Sequence, residues 1–289
     1  ITLTGIGTGS VEGTTGTVTV GNAHTSSLTL AGSNYKTDAA AYQAASGGNN
    51  IKITGADPSF LGSDSAISFV DGDILLSNGT FTVNSAGGAI VIDGAISGSS
   101  DEAVVINSGA SGGATVELKG AIGGGNEIKN VTITGTNGVT LTNANITTSV
   151  TSGTSVEISG DITLGSNITI DTNTANTAND GSITINDKID GTRQLVLDSG
   201  AGNIALQGAI GETNALTLLS VNSSNGADAN INDGTIEIFN IGSATNSAGA
   251  DTGAISIGNK DTETLTLDGT IYTTGEATIY ETATGNNIL

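Results

Sequence analysis

The run Asn130-Val131-Thr132-Ile133-Thr134-Gly135-Thr136-Asn137-Gly138-Val139-Thr140-Leu141-Thr142 decides how the chain is read. Aliphatic and threonine side chains alternate on either side of a Gly-Thr-Asn-Gly corner. A period of two puts Val131 and Ile133, then Val139 and Leu141, on one face of two short strands, with threonine on the other. β-Branched residues favour strands, and Asn-Gly supplies the positive φ of a tight turn. Similar words recur on both sides: Thr17-Val18-Thr19-Val20, Ala114-Thr115-Val116-Glu117-Leu118, Ser182-Ile183-Thr184-Ile185 and Thr264-Leu265-Thr266-Leu267. Asn-Gly returns at 78–79 and 225–226. Helical spacing is confined to Asp38–Ala45, a turn or two of alanine-rich chain, so the fold class is all-β.

The strand words are phased. One aliphatic or Phe position recurs as Phe69, Ile92, Val116, Val139, Ile162, Ile183, Ile204, Ile231, Ile255 and Ile279, with steps of about 23 residues. A second series runs Ile96, Ile122, Ile146, Ile168, Ile189, Ile210 and Ile236. A third, patchier one runs Val104, Ile128, Val156, Leu195, Leu216 and Leu265. Shared words accompany the phase: Gly94-Ala95-Ile96, Gly120-Ala121-Ile122 and Gly208-Ala209-Ile210. A unit of about 23 residues with three short strands and Gly/Asn/Asp corners cannot enclose a core alone, but fits one coil of a right-handed parallel β-helix. Stacking at about 4.8 Å aligns inward Ile, Val and Leu into columns, and ten coils would span about 50 Å. Tandem immunoglobulin-like sandwiches are the competing all-β reading. They would repeat at about 100 residues and carry a buried Trp, which this chain lacks.

The repeat is clearest over 67–289. Residues 1–66 read as N-terminal β coils, interrupted at about 31–50 by an Ala/Tyr-containing segment containing Tyr35, Lys36 and Tyr42. That segment is expected to be an insertion, a short helix lying over one continuous solenoid. Longer polar corners are expected at Thr172–Asp180, Asn222–Asn230 and Gly242–Gly253.

Composition removes many functions. The 289 residues include 44 Gly, one Pro, no Cys, no Met, no Trp, four Tyr and four Phe, and the net charge is −21. Six lysines and Arg193 leave no basic surface for phosphates, so no nucleic-acid partner is expected. No apolar run is long enough for a transmembrane helix. Without Cys, and with His24 as the only histidine, disulfide scaffolds and zinc or haem centres are excluded. Few aromatics fit a narrow aliphatic interior, and a lone Pro fits strands that need every N–H. A translated chain starts with Met, so the sequence reads as cut from a longer exported precursor. Its ends, Ile1-Thr2-Leu3-Thr4 and Thr278-Ile279-Tyr280, are strand-like, which points to further coils or stacked copies beyond them.

Candidate chemistry is sparse. Asp187, Lys188, Asp190 and Arg193 bring two carboxylates and the only Arg near one corner, which reads as a solvated ion-pair corner. His24 has no acidic or nucleophilic neighbour. Asp228, Asn230, Asn232 and Asp233, followed by Gly234, space oxygen ligands as a Ca²⁺ loop would, although Phe239 stands where an EF-hand places its bidentate Glu. No cofactor is expected beyond Ca²⁺ at that loop.

The stretch 181–225, with Ser182-Ile183-Thr184-Ile185, Gln194-Leu195-Val196-Leu197-Asp198, Ile204-Ala205-Leu206 and Ala215-Leu216-Thr217-Leu218, resembles the strand repeats of filamentous-haemagglutinin-like and autotransporter-like bacterial surface proteins. That resemblance implies a secreted β-helix at the bacterial cell surface with a mechanical or adhesive role, and offers no active-site motif. The chain is therefore expected to be a non-enzymatic fibre subunit or adhesin shaft. Its expected partners are copies of itself stacked end to end, further repeats of its precursor, or host or matrix carbohydrate. A carbohydrate-binding or polysaccharide-degrading β-helix is the alternative.

Overall fold

The structure, a computed structural model, describes residues 1–7, 16–98, 101–109, 114–124, 128–149, 153–173, 180–222, 233–243 and 251–289. Among them the only regular structure is β-strand, and the strands pair in parallel about 25 residues apart, giving a β-solenoid of about nine turns. The chain divides into two compact units, Ile1–Ile146 and Thr147–Leu289.

In the first unit each coil contributes to three faces in fixed order. Asn34–Thr37, Ala40–Gln43 and Ile51–Ile53 make one coil; Ser59–Gly62, Ile67–Val70 and Ile74–Leu76 make the next. The registers Tyr35↔Phe60, Tyr42↔Phe69 and Ile51↔Ile74 set like side chains directly above one another. Farther along, Val104 stacks on Val131, and Val116 on Val139. Alternation then sends one side of each strand inward: Leu28, Ile53, Ile90, Ile106, Val116, Ile133 and Val139 are all essentially inaccessible.

The second unit repeats the scheme; the longer polar corners expected at Thr172–Asp180, Asn222–Asn230 and Gly242–Gly253 lie for the most part outside the described residues. Ile183 stacks on Ile204, Ile204 on Ile236 and Ile236 on Leu265 along one face. Ile189 precedes Ile210 on another, and Leu195, Leu219 and Ile255 follow each other on the third.

Several expectations need correction. The segment 31–50 holds no helix: it supplies strands Asn34–Thr37 and Ala40–Gln43, in register with the following coil. The alanines that suggested helical spacing sit on a strand whose inward residues are Ala40 and Tyr42. The interior is also less aliphatic than expected, because Tyr35, Tyr42, Phe60, Phe69 and Phe81 are all buried. Tyr35 lies flat on Phe60 at 4.5 Å, and Tyr42 stacks on Phe69 at 5.1 Å. The two stacks meet edge to face, Phe60 against Tyr42 and Phe69.

The columns differ from a constant 23-residue count. Val116 lies over Ile90, and Ile92 over Leu118. Ile162 pairs with Ile189, whereas Ile183 belongs with Val156. Ile204 pairs with Ile236, and Ile231 lies outside the described residues, as does Asn225-Gly226. Ile255 faces Thr278, which turns Ile279 outward. The cause is corner length: partners are 21 residues apart at Ile183 and Ile204, but 36 apart at Leu219 and Ile255. A slip of two residues keeps a side chain inward and escapes a count based on hydrophobicity.

Two devices hold the corners. In the first, an Asn or Asp at a strand end accepts from the backbone N–H two residues on, and the next residue, a buried Ser or Thr, donates across the turn to a carbonyl. Asn84 with Ser85, Asn107 with Ser108, Asp171 with Thr172 and Asp198 with Ser199 all do this. The carbonyl lies three, six, nine and three residues further along, at Gly88, Ala114, Gly181 and Gly202, so one staple closes turns of unequal length. The second device is Gly-x-x-Tyr. Gly32 N–H donates to the Tyr35 hydroxyl, which donates to Leu3 O of the previous coil. Gly269 and Tyr272 repeat this against Ile238 O and Phe239 O. Glycine is required because a Cβ would stand 2.0 Å from Thr4 O at position 32 and 1.4 Å from Phe239 O at position 269.

Phe60→Ala is expected to cost about 3–5 kcal/mol by denaturant titration, because it opens the centre of the aromatic stack. Ser199→Ala should cost about 1–3 kcal/mol by leaving buried acceptors unmet. The outward Thr140→Ala should stay within about 0.5 kcal/mol of the parent.

Candidate functional site

With the interior closed, chemistry is left to outward side chains and corners. The acidic–basic corner foreseen in the sequence does not converge. Asp187 Oδ2 accepts from Gly160 N–H at 2.7 Å, and Asp190 Oδ1 from the N–H groups of Thr213 and Asn214, both at 3.0 Å. Lys188 pairs with Glu212 at 3.0 Å, and Arg193 Nε donates to Gly165 O at 3.1 Å. Each side chain ties its own coil to a neighbouring one. His24 lies in an exposed turn where its backbone N–H bonds Asn22 Oδ1 at 2.8 Å.

Of the Ca²⁺-loop candidates, Asp228, Asn230 and Asn232 lie outside the described residues. Asp233 opens the strand Asp233–Ile241 and accepts a hydrogen bond from Asn259 Nδ2. Burial raises its carboxyl above the ordinary value, and Asp261 and Asp198 push the same way, against the Asn259 bond and Lys260. Among the described residues no group of three or more His, Asp or Glu is placed to hold a metal ion.

A groove of about 230 Å³ lies on the second unit, lined by Leu206, Gln207, Glu237, Phe239 and Asp268. Its floor follows from register. Leu206 pairs with Ile238, and the next pairing is Ala209 with Asn240, so Gln207 and Gly208 together oppose Phe239. Such a bulge bends the strand and re-aims the side chains around it. On the other flank Leu267 pairs with Ile238, which brings Asp268 beside Phe239, with Asp268 N–H on Ile238 O at 3.0 Å. The Tyr272 hydroxyl donates to Phe239 O at 2.8 Å, fixing the backbone of a residue that is 42% exposed. Alternation with inward Ile236 and Ile238 makes the outward placement of Glu237 and Phe239 legible in the sequence, whereas the bulge that opens the groove beside them is not. A much smaller hollow on the first unit is lined by Lys36, Thr37, Leu61, Gly62, Ser63, Asn84 and Ala86.

Among the described residues the strand Thr278–Tyr280 pairs with Ala254–Ile257 alone, and Ile279 on it is exposed, as are Ile288 and Leu289, which lie along Thr262–Leu267. No protein-family model, curated protein or solved structure matches the chain.

Asp233 gives a prediction with a definite sign. A carboxyl raised in the folded state is best tolerated when protonated, so its contribution is favourable below the ordinary Asp value and is lost as pH rises through the raised one. Asp233→Asn should therefore melt above the parent at neutral pH, and the gap should close on acidification. If the variant gains nothing at neutral pH, burial does not govern this carboxyl. A melting point raised by Ca²⁺ in the parent but not in the variant would assign the turn to an ion.

Proposed function

We propose that this chain is a structural segment of an extracellular fibre or adhesin shaft at a bacterial surface, and not an enzyme. The observation that carries the reading is the parallel coil-to-coil pairing of the described strands within each unit, over interiors filled by apolar columns. A load along such a stack is borne by many backbone hydrogen bonds and by buried apolar contact together. Asp187, Lys188, Asp190 and Arg193, the one corner that gathers two carboxylates and the Arg, each tie one coil to another. The sequence resemblance to filamentous-haemagglutinin-like and autotransporter-like surface proteins supports the same role and a secreted location.

A second copy of the chain would add to Thr278–Tyr280 through the same kind of parallel backbone bonds that join this strand to Ala254–Ile257. The net charge of −21 keeps the sides of neighbouring molecules apart, so association is steered to the ends.

Negative-stain microscopy of the purified chain tests this reading. Particles that join end to end into filaments as salt screens the charge are expected, together with no release of sugars from a polysaccharide panel. Compact particles that depolymerise a polysaccharide would overturn it.

A further inference from the structure

We propose that the groove over Phe239 is a docking site for a basic side chain of a partner polypeptide, an arginine or lysine whose cation lies on the Phe239 ring between Glu237 and Asp268. This does not depend on the shaft reading: the groove is built from local register in the second unit and would serve any protein displayed on this scaffold.

Four observations lead to it. First, Phe239 is the one phenylalanine that is not buried; Phe60, Phe69 and Phe81 all lie in the core. An aromatic ring turned to water in a groove is available for contact. Second, the backbone beneath the ring is held in place. Tyr272 clamps its carbonyl, Asn240 Oδ1 accepts from the N–H groups of Thr270 and Ile271, and the bulge at Gln207 and Gly208 opens the strand beside it. A site on a braced strand loses little freedom when a ligand arrives.

Third, the charged groups around the ring are both carboxylates. Glu237 lies two residues earlier on the same outward side, Asp268 flanks from the following coil, and Gln207 flanks from the preceding one. The ion pairs among the described residues join Lys119 to Asp93 and Glu117, Lys188 to Glu212, and Lys260 to Asp261, none of them at the groove. The face of an aromatic ring is itself electronegative, so ring and carboxylates favour the same ligand charge. Fourth, the chain carries 28 Asp and Glu against seven Lys and Arg, a field that draws cations and turns away phosphates, sulfates and uronates. A volume of about 230 Å³ admits a guanidinium or ammonium group with part of its stem. The Gln207 side-chain carbonyl offers a further acceptor to a donor-rich head group.

The test uses the whole chain and an acetylated tetra-arginine peptide, followed by the NMR signals of the Phe239 ring during titration. The matching tetra-citrulline peptide, equal in shape but uncharged, and maltohexaose serve as the other ligands. Saturable shifts with tetra-arginine alone are expected, weakening as salt rises. Phe239→Leu keeps an apolar group without a π face, and should weaken binding about two- to fivefold. Glu237→Gln with Asp268→Asn should weaken it further than Glu263→Gln with Glu276→Gln, which removes the same charge elsewhere. All four sites are outward, and unchanged thermal melts of the variants show that folding is intact.

Equal losses from both charge pairs, with no effect of Phe239→Leu, would mean diffuse attraction to an acidic surface, and would overturn the site. Saturable binding of maltohexaose that is lost in Phe239→Leu, without binding of tetra-arginine, would overturn it in favour of a neutral glycan. Absence of ring shifts with every ligand would overturn it outright.

Discussion

The rest of the structure depends on the parallel backbone hydrogen bond between one coil and the next. A strand of three to five residues cannot hold itself together in water, and a single coil has too little apolar surface to bury. Once coils pair in register, each N–H and C=O of a strand finds a partner, and side chains two residues apart fall into columns. Val104 over Val131 and Ile51 over Ile74 follow from that pairing as much as they support it. Composition follows as well: one proline, many β-branched residues, and glycines where backbones approach too closely for a Cβ.

Corners are where the fold tolerates change. A staple of Asx and buried hydroxyl closes the turn after Asp198 in three residues and that after Asp171 in nine, and the strands beyond rejoin the same columns. Register is thus set by the strands, while length is absorbed between them. Outward side chains are released from packing duty, which is why most of them are threonine, serine, asparagine or acidic residues. It is also why an exposed ring such as Phe239 is conspicuous.

The strand words and their repetition were legible in the sequence because alternation of β-branched and polar residues is a local signal. Partner assignment was less so. Period-two slips such as Val116 over Ile90 preserve inwardness, and corner lengths change from coil to coil, so a constant step drifts between faces. The segment containing Tyr35 and Tyr42 was misread because alanine fits either periodicity, and its strand identity comes from neighbours at Phe60 and Phe69, far along the chain. The Asx and hydroxyl staples left a trace in Asn84-Ser85, Asn107-Ser108, Asp171-Thr172 and Asp198-Ser199, but two-residue words are too short to stand out. The groove needed a bulge between Leu206 and Ala209, which no pattern of hydrophobicity announces.

Distance between spin labels is the most direct check on in-register stacking, and the absence of native cysteine makes labelling clean. On one face of the first unit Thr19, Ala41, Ser68, Val91, Glu117 and Thr140 follow one another by direct register. At about 4.8 Å per coil, labels at Thr19 and Thr140 should lie about 24 Å apart, and labels at Ser68 and Thr140 about 14 Å. Separations that grow in proportion to the number of coils between the labels are the predicted result. A Thr19 to Thr140 distance no longer than that from Ser68 to Thr140, or one spread over tens of ångströms, would contradict the stacked-coil account.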